Sequence, residues 1–254
     1  MRQIAAQSGH SFRTVRRIIK YWLEHPAAEE IKFAAHRYLL LDGTFLDQRK
    51  GIFAAMEAQR NSVIHGASDM TEGPTHLYPF CRYLKQHGLI PHSVTLDGNR
   101  HLIRILKMLW PQVLIQRCLV HIQRQGLMWC RRYPKRTDAK HLRELFLKVM
   151  SIRTATDRER FVLELQNWEN HYGRQIAHSP ERGPVFSDLK RARSLLLSAL
   201  PNMFLYLDNP SIPNSTNALE GYFSRLKQRY RQHRGLARHN RGAYFRWYLR
   251  LCPR

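Results

Sequence analysis

Two rhythms of apolar residues divide this chain. At its start the spacing is helical: Val15, Ile18, Ile19 and Trp22 fall three and four positions apart on one stripe. Within "MRQIAAQSGHSFRTVRRIIK", Gly9 supplies a turn, Ser11 fits a helix N-cap, and Ala5 is small where two helices would cross. The pattern predicts a helix-turn-helix over residues 1–25. Arg13, Thr14, Arg16 and Arg17 are then left on the outer face, where a recognition helix meets a DNA groove. A helical hairpin that reads no DNA would share this pattern. It begins at Met1 with no helix ahead of it to complete a three-helix core, so a missing upstream segment is expected. Residues 26–31 read as a linker.

From Tyr38 the rhythm shortens. Three strands are predicted, Tyr38–Phe45, Gly51–Ala58 and Ser62–Ser68, joined by short polar connections as in an antiparallel meander. A helix follows over Thr75–His87, with Leu77, Phe80, Cys81 and Leu84 on one face. "SVTLDG" reads as a fourth strand, Arg100–Leu109 as a helix, "VLIQRC" as a fifth strand, and "LVHIQRQGLMWCRR" opens another helix. From Tyr133 to Leu207 only helical stripes appear, such as Leu142, Leu145, Phe146 and Val149, then Phe161, Leu165, Trp168 and Tyr172. A last helix is predicted over Asn217–His233. The order β-β-β-α-β-α-β-α, a helical block, then α, is that of an α/β ribonuclease-H-like core: a mixed sheet whose first three strands are antiparallel, with an all-helical insertion. The expected boundaries are 1–25 for the helix-turn-helix, 26–132 for the first part of the core, 133–207 for the insertion, and 208–254 for the last helix and a basic tail.

Composition adds a partner. Forty-two Lys and Arg oppose nineteen Asp and Glu, a formal charge of +23, and the segment from Ser224 to Arg254 carries ten basic residues and no acidic one. Such a field attracts a polyanion, and arginines interleaved with Tyr and Trp favour nucleic acid over a membrane surface. No apolar run reaches the ~18 residues of a membrane span, and residues 1–25 lack the apolar stretch of a secretory signal. A transit peptide is the alternative reading of that Arg-rich start. The four cysteines, Cys81, Cys118, Cys130 and Cys252, are scattered. They suggest a reducing setting, cytoplasmic and associated with the nucleoid, rather than a disulfide framework.

Candidate chemistry lies at two strand tips, "RYLLLDGTF" and "SVTLDGNRH". A buried aspartate needs a positive partner, either an arginine or a metal ion. On neighbouring central strands Asp42 and Asp97 would converge, and two close carboxylates stay ionised together only around a cation. Hard oxygen ligands fit Mg²⁺ or Mn²⁺. Gly43 and Gly98 would let a phosphate backbone approach. "NSTNALEGYF" offers a third carboxylate, Glu220, although Asn217-x-x-Glu220 is equally a capping-box spacing. Asp42 could instead pair with an arginine. Between them Cys118 and His121 share one side of a helix start, an incomplete set for zinc, or simply a buried Cys and a hydrogen-bonded His.

The stretches "LDGTF", "TLDGNRHLIRILKMLWP", "QRCLVHIQRQ" and "NSTNALEGYFSRLKQRYRQHRGL" resemble the DDE transposases of bacterial insertion sequences, Mutator-like superfamily. The likeness is to a variant branch whose members begin with a zinc-binding segment and then a helix-turn-helix. The motifs follow the family's order from Met1 to about Leu251; the zinc-binding front is the departure. The resemblance implies that Asp42, Asp97 and Glu220 are the catalytic, metal-holding carboxylates and that Cys118 and His121 are the family's C-x2-H signature. It implies two Mg²⁺ or Mn²⁺ ions, cleavage and strand transfer of double-stranded DNA by in-line displacement, no covalent protein intermediate, and a homodimer or higher oligomer on DNA. Arg13, Arg16 and Arg17 would contact DNA through the helix-turn-helix; Arg225, Lys227, Arg229, Arg231 and Arg234 would neutralise phosphates near the site. Two other readings keep the same residues: a DNA-binding remnant or regulator without catalysis, and a metal-dependent RNase-H-like nuclease without strand transfer.

Overall fold

The computed structural model describes residues 2–25, 33–46, 51–178, 183–232 and 236–254. Two helices, α1 (Arg2–Ser8) and α2 (Phe12–Glu24), precede a β-hairpin and third strand, β1 (Tyr38–Phe45), β2 (Gly51–Glu57) and β3 (Ser62–Met70). Then come α3 (Pro74–Gln86), β4 (Ser93–Leu96), α4 (Arg100–Leu109), β5 (Leu114–Arg117) and α5 (Leu119–Cys130). The helices α6 (Thr137–Lys148), α7 (Ala155–Trp168), α8 (Arg174–His178), α9 (Pro184–Ala199) and α10 (Leu205–Asp208) follow, then α11 (Asn217–Gln232) and α12 (Arg241–Leu251). The predicted linker at residues 26–31, and Arg234, lie outside the described residues.

The strands form one mixed sheet in the order β3-β2-β1-β4-β5. β1 pairs antiparallel with β2, and β2 with β3, whereas β1–β4 and β4–β5 are parallel. Alternation on the strands assigns each side chain to a face. Leu39, Leu41, Phe53 and Ala55 pack into the layer with α3 and α4. Leu40, Ile52, Ala54 and Met56 face the opposite way, against Leu219, Tyr222 and Leu226 of α11 and Phe245 of α12. β2 is buried along its whole length, which is why its sequence is apolar from Ile52 to Met56 rather than alternating. Both sheet edges are covered. Leu249 of α12 lies against Gly66 of β3, and the Val63 N–H donates to the Pro253 carbonyl at 2.7 Å. At the other edge Gln116 Nε2 donates to the Met203 carbonyl at 2.8 Å. A third apolar cluster joins Leu119 and Ile122 of α5 to α6, α7 and α9, so the helical block is rooted on the helix that leaves β5.

Strand ends differ from expectation where tertiary pairing sets them. β4 stops at Leu96, so Asp97 and Gly98 lie in the turn beyond it. β1 continues past Asp42 because β2 pairs with it as far as Phe45, while β4 pairs only with Tyr38–Leu40. Asp42 therefore stands on the half of β1 that has no neighbour on its β4 side.

The N-terminal hairpin turns at Gly9, whose φ of 67° favours a glycine. Ser11 caps α2 by accepting from the Thr14 N–H at 3.1 Å. The predicted inward stripe is not buried as a unit: Val15 is, but Ile18 and Trp22 are 42% and 49% exposed. Two short helices present only one crossing, and α12 meets the stripe only at its far end, through Trp22. Arg13, Arg16 and Arg17 are exposed, as expected, but Thr14 is half-buried, its hydroxyl 2.9 Å from that of Ser11. The hairpin touches the body through Trp22, whose carbonyl accepts from Trp247 Nε1 at 2.8 Å and whose ring meets the Trp247 ring edge-on. No helix among the described residues is long and apolar enough to cross a membrane.

Candidate active site

Three segments meet at the open end of β1. The first is β1 itself, carrying Asp42. The second is the start of α5: the Cys118 N–H donates to the Leu96 carbonyl at 2.8 Å, tying the exit of β5 to the end of β4, and His121 follows one turn into the helix. The third is residues 213–220. Thr95 Oγ1 of β4 donates to the Pro213 carbonyl at 2.7 Å, and the Leu119 N–H to the Asn214 carbonyl at 2.9 Å. The Thr216 N–H donates to Cys118 Sγ at 3.3 Å, and the Thr216 carbonyl then accepts from the Leu219 and Glu220 amides at 2.9 and 3.0 Å. The first turn of α11 is thereby stitched across the tips of β4 and β5, and Glu220 points back over β1.

One carboxylate oxygen each of Asp42 and Glu220 and a ring nitrogen of His121 all lie within 4.8 Å of one another. His121 Nε2 stands 3.5 Å from Glu220 Oε1. That oxygen is buried and has no hydrogen-bond partner, while Oε2 lies 3.8 Å from Arg124 Nη1. The glutamate is thus turned away from the helix start, and the capping-box alternative does not describe it. Asp42 Oδ1 accepts the Gly43 N–H at 2.8 Å. A cavity of about 310 Å³ opens over the group, walled also by Thr44, Arg124, Ser224 and Lys227.

Burial is the main influence on the Asp42 carboxyl, pushing its pKa up to about 6; His121 and the Gly43 amide pull it down, and Asp97 and Glu220 push it further up. The hydrogen bond with Cys118 Sγ, at 3.2 Å from Nδ1, raises the His121 pKa against the effect of burial. Burial works against the Cys118 thiolate, but hydrogen bonds from His121 and Thr216 outweigh it and bring the thiol below its usual range. The Cys-x2-His pair is therefore one hydrogen-bonded unit. Its sulfur is spent on the histidine and on Thr216, and does not join the carboxylates.

Asp97 lies outside the 4.8 Å group, though its charge reaches Asp42. Its Oδ1 accepts the Asn99 N–H at 3.0 Å. Asn99 caps α4 through the His101 and Leu102 amides and donates from Nδ2 to the Glu72 carbonyl at 3.0 Å. Arg117, buried at the end of β5, donates from Nη2 to the Asp97 carbonyl at 3.2 Å, and its Nε has no partner. The role expected of Gly98 needs correcting. Its φ of 105° excludes other residues, and the space a Cβ would take is filled by the Arg117 guanidinium, not left open for a phosphate. Gly43 likewise makes room for its cross-strand partner: a Cβ there would sit 3.2 Å from the Phe53 ring.

Of the basic residues named from sequence, Arg225, Arg229 and Arg231 are exposed on α11, and Lys227 is half-buried in the cavity wall. Sequence reasoning missed Arg124, Arg117, Thr216 and Glu72. Arg124 had a visible signal, one turn after His121. Glu72, whose carboxyl is raised by burial and by Asp97, had none.

A mixed five-stranded α/β fold here brings two carboxylates and a histidine together in a chain of formal charge +23. The chain belongs to the Mutator family of transposases: the family model described as "Transposase, Mutator family" matches residues 55–238. The matched span contains Asp97, Cys118, His121 and Glu220, and Asp42 lies ahead of it. No curated protein matches the chain. Its function is that of a transposase in general terms, and DNA is the partner which the family implies.

Proposed function

We propose that the chain is a DDE-type transposase with a ribonuclease-H-like core, in which Asp42, Asp97 and Glu220 hold Mg²⁺ or Mn²⁺ and DNA phosphodiesters are cut and rejoined. The observation that carries this is Glu220 Oε1, buried with no hydrogen-bond partner beside Asp42 and His121. A buried carboxylate oxygen that accepts no hydrogen bond, beside a second carboxylate and an imidazole nitrogen, is costly unless a cation takes it up, so the residues fit a divalent ion. When bound, the metal supplies Lewis-acid activation of water or a 3′-hydroxyl and stabilises the leaving oxygen. The chain's own groups do the rest. Asp42 and Glu220 aim their oxygens at one point, and Asp97, anchored by the Asn99 amide, flanks it. Arg124 and Lys227 stand on the cavity wall where a phosphate beside the scissile one can be paired. Arg13, Arg16 and Arg17 on the hairpin, with Arg225, Arg229 and Arg231 on α11, extend the cationic track for double-stranded DNA.

Arg117 beside Asp97 favours one alternative, a DNA-binding remnant whose second aspartate is already neutralised. Its bond goes to the Asp97 carbonyl rather than to the carboxylate, which leaves the acid available and supports the catalytic reading. Thermal unfolding separates the two. A divalent ion at tenfold its Kd should stabilise the wild type by about 1.4 kcal/mol, roughly 3–5 °C in Tm. Asp42→Asn and Asp97→Asn should lose most of that shift. If Mg²⁺ and Mn²⁺ move neither wild type nor variants, the metal reading fails. Joining of a labelled 3′-hydroxyl end to plasmid DNA then distinguishes a transposase from a nuclease that only cuts.

A further inference from the structure

We infer that His121 is itself a ligand of the divalent ion, through Nε2, and that this nitrogen makes the site prefer Mn²⁺ to Mg²⁺. The inference rests on the metal reading above and goes beyond the three carboxylates. It starts from which groups converge: the tightest cluster is Asp42, His121 and Glu220, with Asp97 outside it. Two donors about 2.1 Å from one octahedral ion stand about 3.0 Å apart in cis and about 4.2 Å in trans. The 3.5 Å between His121 Nε2 and Glu220 Oε1, within a group no wider than 4.8 Å, is compatible with a shared ion after small side-chain adjustment.

The second argument is how the imidazole is held. A histidine that binds metal through one nitrogen usually donates its other N–H to a fixed acceptor, which sets both the tautomer and the ring orientation. Here Nδ1 faces Cys118 Sγ at 3.2 Å, and that sulfur is held as an acceptor by the Thr216 N–H at 3.3 Å and the Thr216 hydroxyl at 3.5 Å. With Nδ1–H directed to the sulfur, the Nε2 lone pair points into the cavity. Glu220 is prepared in the same way, because Arg124 stands by Oε2 while Oε1, with no hydrogen bond of its own, faces His121 Nε2. Imidazole suits transition metals, whereas Mg²⁺ favours an all-oxygen shell.

The probe is Mn²⁺ alone, added to the untagged full chain. EPR titration gives its affinity, and electron spin-echo modulation reads any directly coordinated ¹⁴N. Expected are ¹⁴N modulation in the wild type, its loss in His121→Gln, and at least a tenfold fall in Mn²⁺ affinity there with Mg²⁺ affinity little changed. Cys118→Ala should weaken Mn²⁺ by roughly tenfold through the misdirected ring, and Cys118→Ser should restore most of it. Mn²⁺ bound without ¹⁴N modulation overturns this inference and leaves the metal reading standing; that measurement needs no variant. Modulation that persists unchanged in His121→Gln also overturns it, since another histidine is then the source. No Mn²⁺ binding at all would overturn both.

Discussion

Asp42 lines the cavity half-buried, and burial lifts its pKa from 3.8 to about 6. The consequence for stability has a definite sign. Between these two values the folded protein holds a proton which the unfolded chain releases, so the folded state binds more protons and stability falls as pH rises through that window. The full difference is roughly 2–3 kcal/mol. Asp42→Asn removes the ionisable group and should therefore stabilise the metal-free protein at pH 7.5 by about 1–2 kcal/mol, with little gain at pH 4. Urea unfolding of both proteins at the two pH values checks this. A variant less stable than wild type at pH 7.5 would mean that the carboxylate is well compensated and not waiting for a cation. Under the proposed function, local stability is given up here for a charge held ready.

Elements determine how much of this could be read beforehand. The alternation of β1 is visible because each face of the sheet meets an apolar layer, and α5 and α11 are visible from their stripes. Residue-level meetings across the sequence are not. His121 and Glu220 converge only because the Pro213–Thr216 segment is bonded to Thr95, Cys118 and Leu119, and Arg117 has a purpose only once the turn at Gly98 exists. Motif order grouped Asp97 and Glu220 with Asp42, but it could not say that His121 joins Asp42 and Glu220 within 4.8 Å while Asp97 lies outside that group. The hairpin shows the opposite failure, a clear stripe that burial does not follow. Helices of seven and thirteen residues are marginal alone, so α1 and α2 depend on their attachment. That attachment is the Trp22–Trp247 contact with its 2.8 Å hydrogen bond. Trp247→Ala should release the hairpin: amide exchange over residues 3–24 should rise at least tenfold, while the sheet amides stay protected. Unchanged protection in the hairpin would show that it is held by something other than this indole.

At the scale of the whole molecule, the proposed function divides the work, with charge governing encounter and the acidic site governing chemistry. A formal +23 carried by 254 residues repels itself and is relieved by a polyanion. The few carboxylates that remain near the cavity would repel DNA unless a divalent ion screens them, which links metal loading to productive seating of the strand. The cationic track is therefore expected to dominate affinity and to be indifferent to sequence. If Arg13, Arg16, Arg17, Arg225, Lys227, Arg229 and Arg231 each neutralise one phosphate, log K should fall with log salt at a slope of about −6, a loss of roughly 10³–10⁴ in affinity between 50 and 200 mM. Replacing Arg225, Arg229 and Arg231 together by alanine should flatten the slope by nearly 3, and so should the same change at Arg13, Arg16 and Arg17. Filter binding or fluorescence anisotropy over that salt range measures both. A slope that the hairpin triple variant leaves unchanged, but the α11 variant flattens, would assign the DNA path to the cavity face alone and remove the hairpin from it.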